Sequence, residues 1–290
     1  MSRVSLSTLL GALLALCEIT AANEIPTVID GHTSKTVDTL RDHFKPSTVE
    51  FSGRPLHFVE VHSEADVSAK VPVVFVHGTP GGWDDYRVFM TNDSLQQVFR
   101  LIAVDRLGHG SSVGAIEPSL QVQAASLKAV LDQIGAGHEA KRAILVGHSL
   151  GGPIIARTAM DYPEQVAGLV FMASSADPRR SRKWYNLAGA IPPIRWLLSP
   201  PLSRANREIL PLKRELTNML PLWQHITVPT TVIQGGKDTL VDPRNAEFMR
   251  EALTNAQVTM IFKPDANHFL HWQQPQVLIN ALSSFAQRNN

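Results

Sequence analysis

The chain has 290 residues, of which 44% are hydrophobic and 18% charged, with a formal net charge of +1. That balance excludes a disordered or collagen-like chain and a multi-span membrane protein, and it offers no global charge for holding nucleic acid. The single cysteine, Cys17, excludes an intramolecular disulfide framework and a thiolate zinc site.

Residues 1–22 read MSRVSLSTLLGALLALCEITAA. Arg3 supplies a short positive region, Leu9 to Leu16 an apolar core, and Thr20-Ala21-Ala22 small residues for cleavage, the layout of a secretory signal. The apolar run is shorter than the roughly 20 residues of a spanning helix. Leu14-Ala15-Leu16-Cys17 is similar to a bacterial lipobox, although Leu16 stands where a small residue is usual. The expectation is an exported protein, periplasmic or secreted, either cleaved near Ala22 or anchored through a lipidated Cys17. The competing reading is an amphipathic or buried helix of the fold. Residues 23–46 are polar and aperiodic, an N-terminal arm.

Short strand patterns at 47–51 and 55–62 flank Ser52-Gly53, a hairpin turn signal. Apolar runs at 73–76, 101–104, 143–146, 169–172, 231–233 and 258–262 are rich in β-branched residues and end at Gly, Asp or Pro. Strands covered on both faces look like this. Helical patterns at 119–134, 152–161, 244–254 and 275–287 lie between or after them. The alternation predicts an α/β fold with a mostly parallel sheet and crossover helices on both faces. Residues 178–224 interrupt it with prolines and tryptophans and no strand run. They read as an inserted helical cap dividing a core of 47–177 and 225–290. Between Arg179 and Arg214 the cap carries nine basic residues against the single acid Glu208, leaving the rest of the chain at −7. Trp184, Trp196, Leu197 and Leu198 are interleaved. This face either docks on an anionic membrane surface, where aromatic rings settle at the interface, or pairs its arginines with the acidic core.

Gly147-His148-Ser149-Leu150-Gly151 fits G-x-S-x-G, with a strand before it and a helix after it. Its small residues permit a sharp strand-to-helix turn that lifts Ser149 above the sheet as a nucleophile, with the helix N-terminus behind it. His77-Gly78-Thr79-Pro80-Gly81-Gly82 follows the strand at 73–76. Acyl transfer needs two N–H donors for its oxyanion. Leu150, next to the nucleophile, offers one, and Thr79 offers the other, since Pro80 has none. The base must come from eleven histidines. His268, just after the last strand, is favoured over His271, which falls on the next helical turn. Asp238, in the loop after the strand at 231–233, is favoured over Asp177 and Asp242 as the orienting carboxylate. The order Ser…Asp…His suits this architecture.

HGTPGGW, VDRLGHGSS, GHSLGG, GGKDTLVDP and NHFLHWQQP, in that order, make residues 50–288 similar to the α/β-hydrolase family. They resemble its capped branch of esterases, C–C bond hydrolases, epoxide hydrolases and haloalkane dehalogenases. The resemblance makes Asp105 to Ser112 a structural turn. Ser149 stands where the dehalogenases and epoxide hydrolases carry an aspartate, which favours acyl chemistry. The implied activity is a serine hydrolase acting on a small apolar ester-like substrate, with Ser149, His268 and Asp238 as the triad and no metal or organic cofactor. A C–C hydrolase, an acyltransferase or a cofactor-free haloperoxidase could use the same triad. A binding protein that keeps the fold without activity is opposed by the intact motifs.

Overall fold

The computed structural model describes residues 43–63, 67–138, 142–181 and 200–288. The expected signal at 1–22 with Cys17, most of the expected arm, and Trp184, Trp196, Leu197 and Leu198 lie outside the described residues.

An antiparallel hairpin comes first, β1 (Phe44–Phe51) and β2 (Arg54–Val61). Ser52 and Gly53 turn it with φ of 51° and 73°, the left-handed pair that matches the twist of the flanking strands. β1 begins at Phe44, so its pairing reaches into the stretch expected to be an arm. Pro46 is tolerated because β1 is the edge of the sheet, where a missing N–H breaks no interior ladder.

The hairpin opens an eight-stranded sheet in the order β1-β2-β4-β3-β5-β6-β7-β8. Its other strands are β3 (Val71–Val76), β4 (Phe99–Val104), β5 (Ala143–His148), β6 (Val166–Met172), β7 (Thr230–Gly235) and β8 (Val258–Lys263). β2 meets β4 antiparallel; every other pairing beyond the hairpin is parallel. β4, β5 and β7 are buried along their whole length, which is why their sequences are continuous apolar runs rather than alternating ones.

Helices cover both faces. A 3₁₀ turn (Trp83–Tyr86) leads into α1 (Arg87–Met90) and α2 (Asp93–Val98). α3 (Leu120–Gly135), α4 (Gly151–Asp161), α5 (Pro200–Met219), α6 (Asn245–Ala252), α7 (Leu270–Gln273) and α8 (Pro275–Arg288) follow. α3 starts where the Ser119 side chain accepts the Val122 N–H, an N-cap bond. Leu120, Leu127, Val130, Leu131 and Ile134 then recur at helical spacing and are buried. They pack with α4, α5 and α6 and with Val74 and Val76. Val73 and Phe75, pointing the other way from the same strand, pack with α1, α2 and α8. Each side chain fully withdrawn from water here contributes about 1.5–3 kcal/mol. α1, α2 and α7 are too short to show a period in the sequence.

Of the insert expected over 178–224, the described residues form a turn at 178–181 and, from Pro200 on, α5 and a 3₁₀ turn, Leu220–His225. Leu212, Leu216 and Met219 of α5 join the core that holds α4. Trp223 packs edge-on against Phe248, with ring centroids 5.6 Å apart. The Glu215 carboxylate accepts the Leu120 N–H at 3.2 Å, tying α5 to the start of α3.

Candidate active site

The carboxyl ends of the parallel strands all open on one edge of the sheet, where α/β folds bind ligands. Ser149 sits there between β5 and α4, with φ of 52°. A non-glycine residue reaches that region only when its surroundings force it, at a cost of about 1–3 kcal/mol. Here its N–H donates to Met172 O at 3.0 Å, and its carbonyl accepts from Gly152 N at 3.2 Å and Ser175 N at 3.3 Å. The glycine at 151 is forced by close approach, because a Cβ there would lie 2.1 Å from the Val76 carbonyl oxygen. Leu150 caps α4 and is buried. Ser149 itself keeps partial exposure between buried neighbours.

β7 and β8 bring the next two groups together. Lys237 N–H donates to Ala266 O at 2.9 Å and Gly236 N–H to Lys263 O at 2.9 Å, which fastens the loop after β7 to the loop after β8. Across that junction His268 Nδ1 lies 2.8 Å from Asp238 Oδ2. Asp238 Oδ1 accepts the Leu240 and Val241 N–H groups at 2.9 and 2.8 Å, and Gln234 Nε2 reaches Oδ2 at 3.3 Å. Both residues are buried. An ionised aspartate accepts only, so the shared hydrogen is carried by His268 Nδ1, leaving Nε2 as the acceptor.

The rival residues are occupied elsewhere. Asp177 takes the Arg179 backbone N–H and its Nε, both at 2.9 Å. Asp242 does the same with Arg244, and that hydrogen bonding overcomes partial burial to hold its carboxyl down to about 2. Both rivals stand in Asp-Pro-Arg, where the arginine two residues on captures the carboxylate; Asp238 has no such neighbour. That contrast is a local signal that separates the three. His271 is on α7, buried, with its ring 4.1 Å from that of His148. Burial, and then His268 nearby, push its pKa down to about 3. His148 Nε2 is 3.0 Å from His268 O, which holds the His268 loop against the elbow. Burial first, then His271 and His268, keep His148 neutral, well below the ordinary histidine range. Gln234 lies outside every motif and His148 fills a variable position of G-x-S-x-G, so neither carries a signal of its own.

Thr79 lies in the loop after β3. A Cβ on its neighbour Gly78 would be 3.0 Å from Ser149 Cβ, so this loop borders the turn that carries Ser149. Asp105 to Ser112 forms the expected turn: Asp105 accepts from Trp83 N at 2.9 Å and Ser111 N at 2.8 Å, and its Oδ2 is 2.9 Å from His57 Nδ1. Arg106 in that turn reaches the other way. Its Nε donates to His77 O at 3.0 Å and its Nη2 to Gly78 O at 2.7 Å. Its backbone N–H donates to His77 Nε2 at 3.0 Å, so the His77 hydrogen is on Nδ1, 2.8 Å from Gly78 O. Burial, and then Arg106 and His109, hold His77 neutral, far below its usual pKa. Arg106 Nη1 meets Glu208 Oε1 of α5 at 2.6 Å. Burial opposes ionisation of Glu208, but Arg106 and His109 outweigh it and bring its pKa to about 2. Among the described residues no group of three or more His, Cys, Asp or Glu side chains is placed to hold a metal ion.

The profile of the alpha/beta hydrolase family matches residues 73–281. The sn-1-specific diacylglycerol lipase ABHD11 of Mus musculus is 24% identical over 271 residues, 80% of this chain and 85% of that protein. The crystal structure of a membrane phospholipase A, described as a bacterial virulence factor, matches with a TM-score of 0.64 at 20% identity. That match spans 97% of this chain and 99% of the other. A thermophilic esterase from Thermogutta terrifontis matches with a TM-score of 0.64 at 20% identity, over 84% of this chain and 98% of that one. At such identities the structural likenesses speak for the fold alone.

Proposed function

The chain belongs to the alpha/beta hydrolase family and is a hydrolase of the esterase/lipase-like kind, and on that premise we propose that it cleaves a carboxylic ester or thioester through an acyl-enzyme on Ser149. The observation that carries the proposal is the 2.8 Å contact between His268 Nδ1 and Asp238 Oδ2, beside an elbow that holds Ser149 at φ 52°. With its Nδ1 hydrogen pinned, His268 offers Nε2 as the base. Ser149 Oγ attacks the acyl carbon as His268 takes its proton. Asp238 stabilises the imidazolium, which returns the proton to the leaving alcohol or thiol. The backbone N–H groups of Leu150 and Thr79 receive the oxyanion. Water, activated by His268, then releases the acid and restores Ser149.

A panel of p-nitrophenyl esters of graded chain length, run with and without a fluorophosphonate probe, tests this. Turnover that the probe abolishes, with Ser149 as the labelled residue, is the expected outcome. Turnover that survives full labelling of Ser149 would remove the acyl-enzyme.

The segment over 178–224 would roof the substrate pocket. Arg204, Arg207 and Lys213 lie exposed on α5, as does Arg214 beside its partner Glu215, and Leu210 and Leu220 are exposed there too. Arg179 and Arg180, by contrast, are drawn to Asp177. The exposed basic and apolar side chains support docking on anionic phospholipid, where each cation adds about 1 kcal/mol that salt screens away. Co-sedimentation with phosphatidylglycerol vesicles that fades with salt is the expected result. Equal binding to phosphatidylcholine, or none at low salt, would count against it.

A further inference from the structure

The Gly78–Thr79 peptide, which carries one donor of the proposed oxyanion hole, lies in a loop that neither strand nor helix fixes. Its direction is set instead by two hydrogen bonds to the Gly78 carbonyl, from Arg106 Nη2 at 2.7 Å and from His77 Nδ1 at 2.8 Å. A trans peptide is planar, with its N–H opposed to its C=O. Pulling the Gly78 carbonyl toward Arg106 therefore turns the Thr79 N–H the opposite way. A flip of this one peptide would replace a donor by a carbonyl oxygen and leave the hole half formed.

Arg106 has almost no water around it, being 2% exposed, so its charge depends on a protein partner. That partner is Glu208, 102 residues further along the chain and 1% exposed. The guanidinium forks, with Nη1 at 2.6 Å from Oε1 and Nη2 at 3.2 Å from Oε2, while Nε and Nη2 hold the His77 and Gly78 carbonyls. The carboxylate also lies 3.1 Å from His109 Nε2 and 3.3 Å from Gln123 Nε2. Glu208 is the only acid in the basic stretch from Arg179 to Arg214, and α5 presents it inward.

We propose that Arg106 and Glu208 are positioning residues for the oxyanion hole, and that through them the seating of α5 on the core sets the direction of the Thr79 N–H. Without Glu208, Arg106 is left a buried charge with no counter-charge and shifts off the Gly78 carbonyl. The inference rests on the hydrolase reading of the site. It makes the hole a product of two distant segments rather than of the His77–Gly82 loop alone.

The test uses Glu208→Gln and Arg106→Lys in the full chain, with p-nitrophenyl butyrate as substrate and an alkyl trifluoromethyl ketone as inhibitor. The ketone forms a hemiketal on Ser149 whose oxyanion needs the hole. Loss of one oxyanion donor costs about 10²–10³ in turnover, so a misdirected one is expected to cost roughly 10–100-fold in kcat. KM should stay within about threefold, and the ketone's affinity should fall in step with kcat/KM. Arg106→Lys should behave alike, because an ammonium cannot fork between Glu208 and both carbonyls. Should Glu208→Gln not fold, the double variant Arg106→Met/Glu208→Leu, which leaves no unpaired charge, carries the same expectation. A folded variant with wild-type turnover and inhibitor affinity overturns the proposal. A drop in kcat without a matching loss of ketone affinity does so too, as does a double variant that cannot fold. Wild-type protein that neither turns over esters nor labels at Ser149 would instead remove the hydrolase reading itself.

Discussion

Replacing Asp238 by asparagine changes one atom and tests the orientation of the base. Oδ1 of Asp238 accepts two backbone N–H groups, from Leu240 and Val241, at 2.9 and 2.8 Å. An asparagine amide must keep its oxygen there, since an NH₂ would face two donors. Its NH₂ is then directed at His268, where the carboxylate oxygen stood at 2.8 Å. Gln234 Nε2 loses its 3.3 Å acceptor at that position and keeps the Gly235 carbonyl at 3.1 Å. His268 Nδ1 becomes an acceptor, the hydrogen moves to Nε2, and Nε2 can no longer take a proton from Ser149. The tautomer error in such triads costs about 10⁴ in kcat, or about 5 kcal/mol of transition-state stabilisation. The assay is steady-state hydrolysis of p-nitrophenyl butyrate, with thermal melts as the control for folding. Asp177→Asn and Asp242→Asn, which loosen only local arginine contacts, should each cost less than about tenfold. A larger loss from Asp177→Asn than from Asp238→Asn would refute the assignment and the tautomer argument with it.

Ser149→Ala should abolish fluorophosphonate labelling while the fold persists. Ser149→Gly should be the more stable of the two inactive variants by roughly 1 kcal/mol in urea unfolding, because the φ of 52° strains alanine and not glycine. Gly151→Ala should cost more than about 3 kcal/mol, since its methyl would have to displace the β3 backbone at Val76 rather than a flexible side chain. Acid should destabilise the protein from histidine as well as carboxylate titration. His271 has a folded pKa of about 3 against 6.5 ordinarily, so the unfolded chain takes up its proton first and stability falls as pH drops between those values. His271→Phe should flatten that part of the pH–melting curve; an unchanged slope would show that His271 is protonated in the folded protein.

Much of this protein was legible because its information is local. Burial on both faces forces continuous apolar runs, so β3, β4, β5 and β7 could be read without knowing their neighbours. The elbow announces itself in a five-residue pattern, G-x-S-x-G, although what holds Ser149 and excludes a Cβ at 151 is contact with Met172, Ser175 and Val76. Chain order then placed Asp238 and His268 after adjacent strands, and the sheet brought them within hydrogen-bonding distance. The start of β1 was misjudged because an edge strand alternates weakly and carries a proline. What the sequence did not disclose depends on side chains meeting across long stretches of chain. The pairing of Arg106 with Glu208, the packing of His148 on His271, and the support Gln234 gives Asp238 leave no periodic or motif signature. In the sequence Glu208 is one acid in a basic run; only the docking of α5 makes it the counter-charge of a buried arginine. A buried charge takes its role from its nearest partner, and the tertiary fold alone decides who that partner is.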